Sequence, residues 1–288
     1  MSLKHREDGI LTPFNIIQIL GAILSILVVS VLYGFVIRPS AQEYEIAKTY
    51  EISTAESDSM SIYVILKDYE QQACITMMLW VFMILVYKLY TIHSERKILR
   101  NEEYSHDHAD NPSQLIQYPE SGVIYREDAS GIISKINARI NSQQDLENKL
   151  LPHLINKGLE RFINSQSIQE ASDAIKERVD VVADRLDSEL SIVRYIAWAI
   201  PSVGFIGTVR GIGAALSKAN EAIEGDISGV TSSLGLAFNS TLVALFISIF
   251  LMFFIHLLQS RQEGTMLAIE TFCREHLIDK LRVSKDAS

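Results

Sequence analysis

The chain contains little of what marks several common classes of protein. It has 2 cysteines among 288 residues, too few for a disulfide framework. Its 26 Lys and Arg residues are outnumbered by 35 Asp and Glu residues, which argues against a nucleic-acid partner. The sequence contains no glycine-rich phosphate loop, no nucleophile elbow and no cluster of Cys and His. It therefore predicts neither an enzyme nor a nucleic-acid-binding protein, and no resident cofactor.

Acidic residues are also missing from four long apolar stretches, whereas the mean hydropathy of the whole chain is only +0.16. A helix that crosses a bilayer needs about 20 mostly apolar residues, and each stretch is long enough. We therefore predict an all-α, four-span transmembrane protein embedded in a lipid bilayer. The predicted spans are residues 13–38, 74–92, 192–217 and 232–258.

The placement of Lys and Arg predicts the orientation of these spans. Basic residues follow the second and fourth spans and precede the third. Acidic residues dominate the loop between the first two spans and the short turn between the last two. Both termini are therefore predicted to be cytoplasmic. The predicted cytoplasmic segments are residues 1–12, 93–191 and 259–288, and the predicted periplasmic segments are residues 39–73 and 218–231.

The large cytoplasmic insert is predicted to be a helical region with a polar beginning. Prolines and polar residues over 101–130 predict loop with short helices. From Ile132 the apolar spacing predicts helix, interrupted at Pro152, and the spacing from Leu159 to Leu190 continues up to the third span. A solvated loop also explains best a metal-like group of polar residues, which consists of His106, Asp107, His108 and Asp110.

Small residues follow one face of each of the last two spans. The third-span small face consists of Ala197, Pro201, Gly204, Thr208, Gly211 and Ala215, and the fourth-span small face consists of Ala237, Thr241, Ala244 and Ser248. In a bilayer, small residues mark the places where helices approach closely. Because one four-span chain cannot bury both faces and still leave room for a partner helix, we predict that they line an inner contact surface that receives such a helix. The first two spans would then lie outside.

Each small face carries a threonine at a similar predicted depth. Thr208 and Thr241 lie about 13 Å from the outer membrane surface, and Ser240 adds a neighbouring hydroxyl. Hydroxyl oxygens can replace water around a passing cation or orient a carboxylate that carries a proton. A threonine in a membrane helix can equally bond only the carbonyl four residues before it, and both interpretations stay open. Arg210 lies about 200° around the helix from Thr208, which favours a structural or subunit-interface role.

Two stretches carry a resemblance to a known family. AIPSVGFIGTVRGIGAAL in the third span and GLAFNSTLVALFISI in the fourth are similar to the MotA/TolQ/ExbB family of ion-driven stator subunits. The layout of four spans with a large insert before the third resembles the MotA branch. The resemblance implies a homopentamer around a dimer of a single-span MotB/TolR/ExbD-like partner in the bacterial inner membrane. In that family the partner supplies the titrating aspartate.

The resemblance also implies roles for individual residues. Thr208 and Thr241 match the family's third-span and fourth-span threonines, and Ser240 lies beside the second of them. The residues implied in helix shape and helix packing are Pro201, Gly204, Gly207, Gly211, Ala237 and Ala244. Arg210 stands where TolQ and ExbB carry a tryptophan, and Leu236 stands where they carry a glutamate. The second departure leaves the predicted spans without a carboxylate.

Both the ion and the function have alternatives. Protons are favoured as the transported ion. The extra oxygens of Asn239 and Ser240 keep sodium open, because a sodium path needs several oxygens in place of water. The alternative function is a passive membrane scaffold whose small faces only hold a larger envelope complex together. A small single-span partner with an aspartate near the middle of the membrane would distinguish the two.

Overall fold

The computed structural model describes residues 13–50, 62–107, 115–116, 118–119 and 122–283, and almost all of them are helical. The predicted all-α fold is confirmed. The helices are α1 (Pro13–Leu32), α2 (Arg38–Tyr50), α3 (Ile62–Leu66), α4 (Tyr69–Asp107), α5 (Arg126–Ser142), α6 (Gln144–Glu147), α7 (Leu150–Ser165), α8 (Ile168–Ser217), α9 (Ala219–Ile223) and α10 (Ser228–His276). A π-helical turn, Tyr33–Ile37, joins α1 to α2, and a 3₁₀ turn, Ile278–Lys280, follows α10. Two short strands, β1 (Ile124–Tyr125) and β2 (Leu281–Arg282), pair in parallel.

Four helical segments in the described part of the chain are long and apolar enough to cross a membrane, as predicted. They are Phe14–Ala47, Tyr69–Tyr104, Ile168–Ser217 and Ser228–Lys280. Each predicted span falls on one of them. The predicted N-terminal segment, residues 1–12, and two members of the metal-like group, His108 and Asp110, lie outside the described residues, as do the side chains of the other two members.

The chain divides into two compact units. The first unit comprises Met1–Tyr87 and Ser191–His256, and it contains most of the apolar stretches. The second unit comprises Lys88–Leu190 and Leu257–Ser288. Helices α5 and α7 are central to the second unit's hydrophobic core, with buried residues at helical spacing that include Ile132, Ile136, Leu151, Leu154, Ile155, Leu159 and Phe162.

Two predictions about the insert are wrong in detail. Pro152 does not interrupt a helix, because α7 begins at Leu150 and the proline lies in its first turn, where a missing N–H costs little. The interruption comes earlier, at Gln143 and Asn148, which both leave the helical conformation at the ends of α6. Residues 101–130 also hold less loop than predicted, because α4 continues to Asp107 and α5 begins at Arg126.

The apolar spacing from Leu159 onwards also belongs to two helices rather than one. Helix α7 ends at Ser165, where Gln166 adopts a left-handed φ of 55°, and α8 begins at Ile168. The Ser167 hydroxyl accepts a hydrogen bond from the Glu170 backbone N–H at 3.3 Å and so caps the new helix. A serine followed three residues later by glutamate is a helix-start signal, which could have located this break in the sequence.

Candidate ion-path site

Helices α8 and α10 pack against each other through the two small-residue faces. A Cβ atom added at Gly204 would lie 2.4 Å from the Cβ of Ala244, and one added at Gly211 would lie 2.6 Å from the Cβ of Ala237. Neither distance leaves room for any side chain at the glycine. These pairs run in opposite directions along the two helices, so the packing is antiparallel. Each small face thus supplies the close neighbour of the other within one chain, and the inner surface predicted to receive a partner helix stays a prediction.

Pro201 connects α8 to α10 through a carbonyl that it leaves free. Proline has no backbone N–H, so the carbonyl of Ala197, four residues earlier, has no helical donor. The Ser248 hydroxyl of α10 donates to this carbonyl at 3.0 Å. One turn along, the Cys74 thiol of α4 donates to the carbonyl of Ile200 at 3.8 Å. The proline therefore opens an acceptor on α8 that a neighbouring helix fills, while α8 itself stays continuous.

The two predicted ion-path threonines meet between these helices. The hydroxyls of Thr208 and Thr241 are hydrogen-bonded to each other. Thr208 Oγ1 also lies 3.1 Å from the carbonyl oxygen of Ala237, and Thr241 Oγ1 lies 3.2 Å from that of Gly204. Each threonine thus reaches the carbonyl that precedes the other threonine by four residues. The arrangement is reciprocal, and both side chains are half-buried.

The threonine pair has more acceptors than hydroxyl protons. Thr208 also lies 3.4 Å from its own helical carbonyl at Gly204, which is the contact that a purely structural threonine would make. Each hydroxyl donates one proton and accepts through two lone pairs. The two protons can therefore be distributed over the hydroxyl–hydroxyl contact and the two carbonyls in more than one way. A pair of reorientable dipoles is suited to stabilising a positive charge that passes nearby.

Ser240, the third predicted ion-path residue, is buried and faces α4. Its hydroxyl donates to the carbonyl of Leu236 at 3.0 Å and accepts from the side-chain amide of Gln71 at 3.3 Å. Its Oγ also lies 2.7 Å from the position of a Cβ added at Gly207. Ser240 therefore precedes Thr241 in the chain, but its hydroxyl contacts the first turn of α4.

Arg210 has partners within its own chain. Its guanidinium donates to the Glu70 carboxylate at 2.8 Å and lies 3.8 Å from the Asp68 carboxylate. Glu70 lies in the first turn of α4 and Asp68 directly before it, in the segment that the sequence predicts as a periplasmic loop. Burial raises the pKa of Asp68, although the charges of Lys67 and Arg210 oppose this. The subunit-interface role predicted for Arg210 stays a prediction.

Glu70 and Gln71 are the residues that sequence reasoning missed. The predicted second span begins at Cys74, which leaves both residues in the predicted periplasmic loop. The only signal in the sequence is an acidic residue at one end of a span opposite an arginine at the corresponding end of another. The statement that the predicted spans carry no carboxylate holds for their sequence. The structure nevertheless packs the Glu70 side chain beside Gly207 of the third span.

Part of the chain, including the threonine pair, matches a known family model. Residues 146–271 match the model of the MotA/TolQ/ExbB proton channel family. The segment that carries the threonine pair is similar to a proton channel. The match includes both small-residue faces, and because it is to the family as a whole, the MotA-like layout stays a prediction. Searches of the chain against curated proteins and against solved structures found no significant match.

Proposed function

We propose that this chain is the ring-forming subunit of a proton-driven stator complex that converts the proton motive force into mechanical work. The observation that carries the proposal is the hydrogen-bonded pair of Thr208 and Thr241 within the segment that matches a proton channel family. The four apolar helices support placement of the chain in a membrane, and the Lys and Arg bias supports an inner membrane with both termini in the cytoplasm.

The threonine pair works by offering oxygen atoms at a constriction between helices. Glycine and alanine let α8 and α10 approach so closely that each threonine hydroxyl reaches a backbone carbonyl of the facing helix. A proton carrier beside the pair would be stabilised by hydroxyl oxygens that turn toward it. The pair is half-buried within one chain, which supports a position on the surface of the bundle that a partner helix can reach.

The remaining parts of the complex are those that the resemblance to the stator family implies, and the composition of the predicted spans agrees with them. They contain no aspartate or glutamate, so a carboxylate that shuttles the proton through mid-membrane comes from elsewhere. We propose a homopentamer around a dimer of a single-span MotB/TolR/ExbD-like partner that carries a membrane aspartate. Five copies of the threonine pair then form a ring around that aspartate. The layout of the chain favours the MotA branch of the family.

Co-expression and reconstitution test this function. The chain is produced with a candidate single-span partner, and native mass spectrometry of the purified complex measures its stoichiometry. Proton flux is then driven into proteoliposomes by a potassium diffusion potential and followed with an internal pH dye. We expect a complex with five copies of this chain and two of the partner, and a flux that persists in sodium-free buffer. Flux that requires sodium would reassign the ion.

Replacement of Thr241 tests the site itself. A hydrogen bond to a charged group contributes about 1.5–3 kcal/mol, so removing the Thr241 hydroxyl that stabilises the passing charge should slow flux by about 10- to 150-fold. Thr231→Ala is the matched control, because this exposed threonine of α10 donates to the carbonyl of Ile227 at 3.0 Å and lies away from the pair. Full flux in Thr241→Ala would show that the threonine pair is not part of the ion path. A complex that assembles but conducts nothing would favour a passive scaffold.

A further inference from the structure

Polar groups of α4, α8 and α10 meet at the start of α4, beside Gly207 of α8. Asp68 and Glu70 both lie at the Arg210 guanidinium. The Cγ of Glu70 lies 3.2 Å from the position of a Cβ added at Gly207, and the Ser240 Oγ lies 2.7 Å from the same position. Ser240 is followed in the chain by Thr241, which bonds Thr208. Glu70 and Ser240 therefore lie on the same side of α8, at Gly207, which directly precedes Thr208 in the chain.

Of the two carboxylates at Arg210, Glu70 has the less exposed side chain. Its side chain is only 11% exposed, and its charge is balanced by the Arg210 guanidinium at 2.8 Å. A buried carboxylate without such a partner would be costly in its charged form. Arg210 itself is half-exposed, so it keeps access to solvent while it holds the buried acid.

Arg210 also has a second anion within reach. Asp68 lies 3.8 Å from the same guanidinium nitrogen, and its Oδ2 atom is buried without a hydrogen-bond partner among the described residues. If Glu70 takes up a proton and loses its charge, Asp68 remains to pair with Arg210. Arg210 therefore has a second carboxylate within 3.8 Å when Glu70 carries a proton.

Gln71 supplies an independent sign that this region accepts a donor. Its side chain is buried, and its amide nitrogen is bound to the Ser240 hydroxyl at 3.3 Å. Its amide oxygen is buried with no partner among the described residues. An orphaned acceptor of this kind, next in the chain to a paired carboxylate, is a place where a proton-carrying water can be held.

We propose that Glu70 is a proton-accepting residue of this chain, which takes protons from the periplasmic side and passes them toward the threonine pair. Arg210 holds the Glu70 carboxylate in position, and Gln71 and Ser240 hold the proton carrier beside it. The proton enters on a Glu70 oxygen and leaves to the next carrier along α8, so the carboxylate is restored to its charged form after each transfer. This inference rests on the proposed function, because it requires that protons cross the complex.

Glu70→Gln is the first test, measured in proteoliposomes that contain the complex of this chain with its single-span partner. The substitution keeps shape and hydrogen bonding but removes the proton-accepting group. Because a positioned acid or base contributes about a hundredfold or more to a proton-transfer rate, we expect flux to fall by that factor with the complex still assembled. Glu45→Gln, in the exposed pair of Glu45 with Lys67, is the matched control and should keep full flux.

A charge exchange separates proton transfer from simple attachment of helices. The double variant Glu70→Arg with Arg210→Glu keeps an ion pair between α4 and α8 but moves the carboxylate from the buried position to the half-exposed one. We expect this variant to assemble and to stay about as slow as Glu70→Gln. Wild-type flux in the double variant would show that the pair only fastens the helices, and would overturn the inference. The double variant also serves if Glu70→Gln fails to assemble.

The outcomes distinguish the inference from the proposed function. If the assembled wild-type complex conducts no protons, the proposed function fails. If the wild type conducts, Thr241→Ala is slow and Glu70→Gln is as fast as the wild type, the proposed function stands and the role of Glu70 is wrong. Slow flux in both variants, with full flux in Glu45→Gln, supports both.

Discussion

The two units of the chain distribute their apolar residues in opposite ways. In the first unit large apolar side chains lie on the surface, as Phe35 at 81%, Phe246 at 73% and Ile249 at 71% exposure illustrate. In the second unit residues of the same kind form the interior, where Leu159 and Phe162 are fully buried. A bilayer is as apolar as these side chains, so burying them would not stabilise the first unit. Water surrounds a unit of the second type, and there burial is the main stabilising term.

The helix contacts of the two units differ accordingly. In the first unit the closest contacts join glycine to alanine or serine, and hydrogen bonds such as that of Ser248 to Ala197 connect the helices. In the second unit, Gly158 of α7 faces the flexible end of the Ile175 side chain. In the first unit, close approach of the helix backbones therefore makes the contacts. In the second unit, the contact at Gly158 is made by a side chain that can adjust.

The largest expected effect comes from filling a contact in the first unit where a glycine meets both the side chain and the backbone of its neighbour. Gly211→Leu places a side chain where the Cβ alone would lie 2.6 Å from the Ala237 Cβ and 2.9 Å from backbone atoms. We expect loss of the folded chain, seen as loss of the monodisperse peak in fluorescence-detected size exclusion. Gly213→Leu is the control, because a Cβ there meets nothing within 4 Å. Equal behaviour of the two variants would show that α8 and α10 do not pack at Gly211.

Truncation of a large apolar residue should have opposite consequences in the two units. Phe162→Ala empties part of the second unit's core and should lower its free energy of unfolding by about 3–5 kcal/mol. Phe246→Ala removes a side chain that is 73% exposed in the first unit and should cost far less. Hydrogen exchange of peptides from α7 and α10 in detergent measures each unit separately. A larger loss of protection for Phe246→Ala would contradict the comparison.

Sequence alone could predict the helices of both units for different reasons. In the first unit, long apolar runs without acidic residues predict the helices. Small residues that recur every three or four positions in the last two spans then identify one small-residue face on each. Spacing defines a face but not what that face contacts. For this reason the sequence could not show that Gly204 faces Ala244 within one chain. In the second unit the apolar period is regular across Ser165 and Ile168, and only the cap at Ser167 marks the break.

The polar part of the site was harder to predict. Glu70 and Gln71 lower the local hydropathy, so a span defined by apolar residues begins after them. Their importance comes from contacts with Arg210 and Ser240, which are 140 and 169 residues away in the chain. No local pattern encodes such a contact. The threonine pair was accessible because both members lie on faces that spacing could identify, although the sequence could not show that they bond each other.

A smaller effect is expected at the hydrogen bond that Pro201 makes necessary. Ser248→Ala leaves the Ala197 carbonyl without a donor in the first unit and should cost about 1–3 kcal/mol. In a Pro201→Ala background the restored N–H can occupy that carbonyl, so the same Ser248→Ala change should cost much less. Thermal unfolding of the four proteins in one detergent gives the coupling between the two positions. Additive effects would show that Ser248 does not compensate for the proline.

The smallest effect is expected at the exposed ion pair of Lys67 with Glu45 in the first unit. The side chains are 32% and 49% exposed, so solvent screens the pair and its two long side chains lose freedom when they meet. Glu45→Gln should change the free energy of unfolding by at most about 1 kcal/mol, and the difference should vanish at high salt. Thermal unfolding at low and at high salt measures it. This pair and the Glu70 pair both lie at one end of the apolar helices, and only the second is held inside the bundle. A large, salt-independent loss in Glu45→Gln would therefore show that burial is not what separates the two pairs.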